Sequence, residues 1–370
     1  MDAVGIICEY NPLHKGHIYH IEETKKLFPD ATLVLVLNGY FLERGEISIL
    51  SKENKTKLAL LYGVDLVVEL PFIFGSQSAD IFADASIKIL KYLNVKHLVF
   101  GSESNNIELL KKVSNIQETK EYNDKVKKYL DKGINYPTAL AKALEIKEDI
   151  FKPNDLLGIS YIKAIKKNKC DIKPVTIKRT SDYHDTTSNN IIISASNIRN
   201  KLKLKEDISS YVPRKVNNLI ENLSLNELFP FIKYKILTDN DLSRYLTVDE
   251  GIENRLKEKI LEANNIEDFI KLVKTKRYTY NKITRMLIHI LVGVPKEINK
   301  LANIDYIKIL GFNKKGRNYL HNLKDTEVAL VPIPNTLTYK YEMLAAEVYS
   351  LVSRNKIIVF EKSNKPLFFE

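Results

Sequence analysis

An apolar run, Ala3-Val-Gly-Ile-Ile-Cys8, leads almost directly into the punctuated stretch Asn11-Pro-Leu-His-Lys-Gly-His17, and a helix-like pattern starts near His17. The run is too short for an independent helix and suits a buried strand, so the order is strand, loop, helix. Asn11 and Pro12 punctuate the loop, and Gly16 removes a side chain where a ligand can approach the backbone. The first helical turn leaves N–H groups without intrahelical partners, and the helix dipole adds positive potential, so such a turn attracts anions. His14 and His17 are three residues apart; on a helical turn they share a face and can both donate to phosphate oxygens. This points to phosphoryl or nucleotidyl transfer, with two surface histidines on an ordinary loop as the bland alternative.

Further apolar runs at 32–37, 66–70 and 97–100 alternate with helix-length amphipathic stretches near 17–27, 51–61 and 81–93. Strand, helix, strand at this spacing predicts an α/β fold with a parallel sheet covered on both faces, which binds ligands at the carboxyl ends of its strands. Strand one ends at Glu9 and strand four at Gly101, so both tips can face one crevice; Gly101 is either a close backbone approach or a turn glycine. Residues 38–46, with Gly39, Arg44 and Gly45, form a substrate loop or a mere connection. Glu69, before Pro71, can orient a ligand or cap a loop. Residues 105–152 read as a charged helical insertion. A loop then leads into a helix starting near Asn154 or Asp155, where such residues usually serve as N-caps. A strand candidate over 171–178 ends at Arg179 and the polar loop 180–190; that arginine meets phosphate, stacks on a base, or pairs at the surface.

Ile193-Ser-Ala-Ser-Asn-Ile-Arg199 is a second anchor. Ser194 or Ser196 can cap the following helix, and Arg199, three residues past Ser196, returns to the same face. Hydroxyls, unpaired amides and one guanidinium then converge, which suits a pyrophosphate leaving group whose growing charge needs donors fixed in advance.

His14-Lys-Gly-His17 resembles the HxGH signature of the nucleotidyltransferase superfamily, and Ser196 to Arg199 resembles its Ser/Thr-x-x-Arg element. The wider string Gly5-Ile-Ile-Cys-Glu-Tyr-Asn-Pro-Leu-His-Lys-Gly-His-Ile-Tyr-His20 is similar to the bacterial tRNA(Met) cytidine acetate ligases. So are Asn38-Gly-Tyr-Phe-Leu-Glu-Arg-Gly-Glu46, Gly63-Val-Asp-Leu-Val-Val-Glu-Leu-Pro71, Phe100-Gly-Ser-Glu103 and Arg179-Thr-Ser-Asp-Tyr-His-Asp185. The resemblance implies that ATP activates acetate and that the acetyl group passes to N4 of the wobble cytidine of elongator tRNA(Met). It implies catalytic roles for His14 and His17 on the reacting phosphates and for Ser194, Ser196 and Arg199 on the leaving group. It implies ATP contacts along Ile7, Cys8, Glu9, Tyr10, Asn11, Pro12, Leu13, His14, Lys15, Gly16, His17, Ile18, Tyr19 and His20, and at Gly101, Asn154 and Arg179. Mg2+ is expected to accompany the phosphates, with no ligand assigned.

The 370 residues suggest two domains, expected at 1–208 (parallel-sheet, Rossmann-like and ATP-binding) and 209–370 (mostly helical and tRNA-binding). Residues 271–320 hold twelve Lys or Arg against two acids, nearly the whole net charge of +11. Lys274, Lys276, Arg277, Lys282 and Arg285 interleave with Tyr278 and Tyr280, a mix suited to phosphate contact and stacking on unpaired bases, or to a solvated face. Lys314, Lys315 and Arg317 form a second cluster in a glycine-bearing loop. No apolar run is long enough to span a bilayer and no secretory pattern starts the chain, so a cytoplasmic, membrane-free protein is expected, without a protein partner. Cys8 and Cys170 lack metal-ligand spacing, and Cys8 reads as a small core residue. An adenylyltransferase for a phosphorylated cofactor precursor explains both signatures but not the basic half. A non-catalytic RNA-binding protein explains the basic half but not both signatures.

Overall fold

The computed structural model describes residues 2–134, 136–144, 152–179, 192–323 and 326–370. Its strands are β1 (Ala3–Cys8), β2 (Thr32–Asn38), β3 (Leu66–Leu70), β4 (His97–Ser102), β5 (Lys173–Lys178), β6 (Ile309–Asn313) and β7 (Leu367–Phe369). They form one sheet in the order β5-β4-β1-β2-β3-β6-β7. The first five are parallel to their neighbours, β6 is antiparallel to β3, and β7 is parallel to β6. β2 is buried along its whole length, which is why it reads as an unbroken apolar run. Chain order runs outward from β1 to β2 and β3, then resumes on the other side with β4 and β5. The switch point therefore lies between β1 and β4, where open α/β sheets bind ligands.

The connecting helices are α1 (Lys15–Leu27), α2 (Lys52–Leu61), α3 (Phe72–Gly75) and α4 (Ala79–Tyr92), then α5 (Ile107–Gln117), α6 (Lys120–Asp131) and α7 (Tyr136–Leu144) in the expected insertion. α8 (Pro153–Lys167) and α9 (Ala195–Lys203) flank β5 in sequence. The later half supplies α10 (Arg214–Asn217), α11 (Leu225–Thr238), α12 (Ile252–Lys259), α13 (Ile266–Val273), α14 (Tyr280–Val292), α15 (Ile298–Leu301), α16 (Lys314–Asn322), α17 (Leu337–Ser350) and α18 (Ile357–Ser363). Among the described residues no helix is long and apolar enough to cross a membrane.

The half expected to be mostly helical, 209–370, also supplies two strands, β6 and β7, to the sheet. Both are short, and β6 gains its strand character from β3, more than 240 residues earlier, through pairs such as Val67 with Gly311. The expected division at 208/209 is also crossed in the core. Tyr40, Phe41, Ile47, Phe72 and Ile73 complete the core of the helical half, while Ile304, Ile307, Ile309 and Tyr319 pack into the sheet's core.

A buried ionic cluster joins the two halves. Lys52 Nζ of α2 lies 2.5 Å from Glu69 Oε2, 2.5 Å from Glu342 Oε1 and 2.7 Å from Glu361 Oε1. Lys308 Nζ reaches Glu361 Oε2 at 2.5 Å, and Tyr40 donates to Glu361 Oε1 at 2.6 Å. Burial opposes the Lys52 charge, but the surrounding carboxylates outweigh it and hold its pKa well above the ordinary value. Burial and the Glu342 charge push Glu69 up to about 7, whereas Lys52 and Lys308 overcome burial and pull Glu361 down to about 2. Glu69 thus serves this cluster.

Candidate active site

The loop after β1 turns back on itself so that two histidines cap one helix. His14 is the N-cap of α1; its Nδ1 accepts the Gly16 N–H at 3.0 Å, and His17 Nδ1 accepts the His14 N–H at 3.3 Å. A nitrogen that accepts a backbone N–H carries no proton, so each neutral ring holds its proton on Nε2. Burial, then Arg179 and Arg199, lowers His14 to about 3, and burial with the His14, His20 and Arg179 charges lowers His17 well below the ordinary value. Both therefore act near neutral pH as uncharged Nε2–H donors, their rings 4.0 Å apart. A Cβ on Gly16 would lie 2.7 Å from His14 Cε1, so the glycine makes room for the histidine ring as well as lining the cleft.

The cleft encloses about 460 Å3 at the switch point, at the carboxyl ends of β1, β4 and β5. Ile7, Cys8, Glu9, Tyr10, Asn11, His14, Gly16, His17, Tyr19 and His20 line it, with Gly101, Asn154, Arg179, Ser194, Ser196 and Arg199. Of the expected ATP-contacting stretch, Pro12, Leu13, Lys15 and Ile18 are not in the lining; Leu13 is fully buried in the core. Cys8 is a core residue, as expected, and burial pushes its thiol up to about 12. His20 Nε2 donates to the Val99 carbonyl at 3.1 Å. Lys55 Nζ donates to the carbonyls of Glu9, Asn38 and Gly39 at 3.1, 2.6 and 2.5 Å, tying together the ends of β1 and β2.

On the opposite wall, Ser194 caps α9 by accepting the Asn197 N–H at 3.1 Å. Arg199 Nη1 donates to the Asn11 carbonyl at 2.8 Å, while Nη2 lies 3.4 Å from Ser196 Oγ and 2.6 Å from Glu46 Oε2. The serines and arginine do converge, and the carboxylate of Glu46 sits on the guanidinium where an anionic ligand can compete for it.

Sequence reasoning misassigned the cap of α8. The N-cap is Lys152 with Pro153 at the first helical position, and Glu103 satisfies the orphan amides, accepting the Asn154 N–H at 3.3 Å and the Asp155 N–H at 2.9 Å. Asn154 Nδ2 also donates to Glu103 at 2.6 Å, and its Oδ1 accepts from Arg179 Nη1 at 3.1 Å. Buried Asp155 accepts from Ser102 Oγ at 2.5 Å and the Ser104 N–H at 3.0 Å. Glu103 and Asp155 thus brace the residues after β4 against the start of α8. Gly101 lies within β4 rather than after it, and a Cβ there would meet Arg179 Cγ at 3.3 Å. Residues 180–190, named above as a polar loop, lie outside the described residues, as do the positions of the Arg179–Asp185 motif after Arg179.

The basic residues divide. Lys274, Lys276 and Arg277 are exposed between α13 and α14, with Arg277 3.1 Å from Glu250. Lys282 sits 4.0 Å over the Tyr278 ring. Tyr280 is exposed, but Tyr278 is buried and donates to the Asp249 carbonyl, so only Tyr280 of the pair offers a face for stacking. Arg285 turns inward to Glu43 at 3.2 Å instead of facing solvent. Lys314, Lys315 and Arg317 lie on α16, a helix and not a loop. Lys315 Nζ donates to the Ala31 carbonyl at 2.8 Å, ahead of β2. That is the amino edge of the sheet, a strand length or about 20 Å from the cleft.

Residues 1–363 match the family model described as HIGH Nucleotidyl Transferase. The tRNA(Met) cytidine acetate ligase of Geobacillus sp. (strain WCH70) is 37% identical over 399 aligned residues, covering 99% of this chain and all of that protein. This chain belongs to the tRNA(Met) cytidine acetate ligase family of HIGH nucleotidyltransferases. Another member, the tRNA(Met) cytidine acetate ligase of Staphylococcus aureus (strain JH9), is 37% identical over 95% of this chain and 96% of its own length. Two crystal structures of Thermotoga maritima TmcAL share the family fold. The apo form I superposes with a TM-score of 0.90 at 28% identity, covering 100% of this chain and 99% of that one. The form bound with alpha-thio ATP gives 0.85 at 27% identity, with the same coverage.

Proposed function

We propose that this family member is an ATP-dependent ligase that forms acetyl-adenylate and acetylates N4 of the wobble cytidine of elongator tRNA(Met). The observation that carries the first step is the pair of neutral Nε2–H donors on His14 and His17, facing Arg179 and Arg199 across one cleft. An acetate oxygen attacks the α-phosphorus, the bond to pyrophosphate breaks, and negative charge grows on the departing oxygen. His14 and His17 hydrogen-bond the reacting phosphates without giving up a proton. Ser194, Ser196, Arg199 and the N-terminus of α9 receive the pyrophosphate, which displaces Glu46 from Arg199.

Mg2+ travels with the ATP phosphates in this reading. Among the described residues, the carboxylate group with metal-ligand spacing is Glu69, Glu342 and Glu361, which is filled by Lys52 and is not part of the cleft lining. No residue of this chain is therefore assigned to the metal. The tRNA lies across Lys274, Lys276, Arg277, Lys282 and Tyr280, a surface continuous with the cleft rim at Asn281.

Exchange of labelled pyrophosphate into ATP tests the reading. Exchange that depends on acetate and is followed by acetyl incorporation into tRNA(Met) is expected. Exchange driven instead by a phosphorylated cofactor precursor would make the chain an adenylyltransferase and refute the ligase reading.

A further inference from the structure

The loop after β2 brings two carboxylates, Glu43 and Glu46, into the cleft. It is a tight hairpin: the Leu42 N–H donates to the Glu46 carbonyl at 2.9 Å, the Gly45 N–H to the Leu42 carbonyl at 2.8 Å, and the Ser48 N–H to the Tyr40 carbonyl at 2.8 Å. Its base is buried through Tyr40 and Phe41. Its tip rests on α14, where the Arg44 carbonyl accepts from Thr284 Oγ1 at 2.5 Å. Gly45, at φ +74°, approaches so closely that a Cβ would lie 2.3 Å from the Arg285 nitrogen. A loop held at both ends keeps its side chains in fixed positions.

Among the described residues, the carboxylates lining the cleft are Glu9, Glu43 and Glu46, and each has partners of its own. Glu9 Oε1 accepts both Asn38 Nδ2 and the Glu43 N–H at 2.8 Å, and Glu46 holds Arg199. Glu43 lies between the cleft and α14. Its Oε1 is 3.2 Å from Arg285 Nη1, while its Oε2 is 3.8 Å from Arg44 Nε, beyond hydrogen-bond range. Of the three, Glu43 is the one ion-paired to α14, the helix that also carries Lys282 of the basic surface assigned above to tRNA.

Resting on the ligase reading above, we propose that Glu43 is the general base of acetyl transfer, taking the proton that cytosine N4 loses as it attacks the acetyl carbonyl of acetyl-adenylate. The exocyclic amine is conjugated with the ring and nucleophilic only weakly, so the nitrogen sheds its proton as the N–C bond forms. The C–O bond to AMP breaks, the AMP phosphate leaves with the electron pair, and Glu43 later returns the proton to water. The groups facing Glu43 are Arg285 of α14, Glu9 at the end of β1, and Arg44 and Glu46 of its own loop. Burial outweighs Arg285, and with the charges of Glu9 and Glu46 it brings the carboxyl to about 7, suited to accepting a proton near neutral pH.

The test compares the parent protein with Glu43→Gln and Glu43→Asp in single-turnover transfer from preformed acetyl-adenylate to a tRNA(Met) transcript, with acetate-dependent pyrophosphate exchange measured in parallel. Expected is a fall of about 10²-fold or more in the ratio of transfer to exchange for Glu43→Gln, partial recovery in Glu43→Asp, and loss of the parent's rising limb near pH 7. Transfer within about threefold of the parent, a retained limb, or a loss confined to tRNA affinity would overturn the assignment, the last because a mere brace for Arg285 behaves that way. A parent protein without acetate-dependent exchange would overturn the ligase reading itself; exchange with transfer indifferent to Glu43 overturns only the base.

Discussion

The chemistry of His14 and His17 depends on which ring nitrogen carries the proton. Each Nδ1 is occupied by a backbone N–H, so removing either ring deletes a preorganised donor. His17→Ala and Arg199→Ala are expected to lower acetate-dependent pyrophosphate exchange by about 10² to 10³ while the protein stays folded by circular dichroism. Gly16→Ala should approach the same loss, because its methyl would press on His14 Cε1; normal exchange in that variant would mean that the His14 position does not matter. Buried His289 reports on acid stability separately from the cleft. Its Nε2 donates to the Ser76 carbonyl at 2.8 Å, and burial lowers it to about 4. The unfolded imidazole protonates near 6.5 and the folded one does not, so stability falls as pH drops from about 6.5 toward 4 and the loss is complete below the folded value. Glu43 and Glu69, raised to about 7, run the other way over part of that range, so the comparison must be differential. Between pH 7.5 and 5, urea denaturation should show the parent losing about 2 kcal/mol more than His289→Gln. Equal losses would show that His289 titrates normally in the fold.

Among the elements, α2 joins the halves of the molecule. Its Ser51 cap accepts the Asn54 N–H at 3.2 Å, which sets the helix start where Lys52 and Lys55 both face inward. Lys52 meets carboxylates from β3, α17 and α18, whereas Lys55 gathers the carbonyl ends of β1 and β2. Removing one member of a buried ionic group strands the others without compensation. Lys52→Met is therefore expected to cost about 3 to 5 kcal/mol in denaturant unfolding. The parallel substitution of exposed Lys57, paired with Glu53 at 2.6 Å, should cost within about 0.5 kcal/mol. A tolerated Lys52→Met would mean that the carboxylates neutralise themselves by taking up protons.

Over the whole molecule, the basic clusters separate by position. Replacing Lys274, Lys276 and Lys282 by Ala should weaken tRNA binding and reduce its logarithmic salt slope by about 0.7 to 0.9 per lost contact, with acetyl-adenylate formation retained. Replacing Lys314, Lys315 and Arg317 should leave that slope unchanged, because α16 lies at the other edge of the sheet; a slope that falls only for the second set would relocate the tRNA. The sequence by itself determined the parallel strands β1 to β4, since strands buried on both faces are continuous apolar runs. It narrowed the cap of α9 to Ser194 or Ser196, since a helix start is written in a few adjacent positions, while the choice of Ser194 and the capping of α1 by His14 came from the structure. It carried the positions of Arg179 and Arg199 but not their partners, Asn154 and Glu46, which are 25 and 153 residues away along the chain. Tertiary structure alone decided the pairing of β6 on β3, the Lys52 cluster, the inward turn of Arg285 and the distance between the two basic patches. These are choices among partners far apart in sequence, and local periodicity carries no information about which distant group a side chain will meet once the chain has closed.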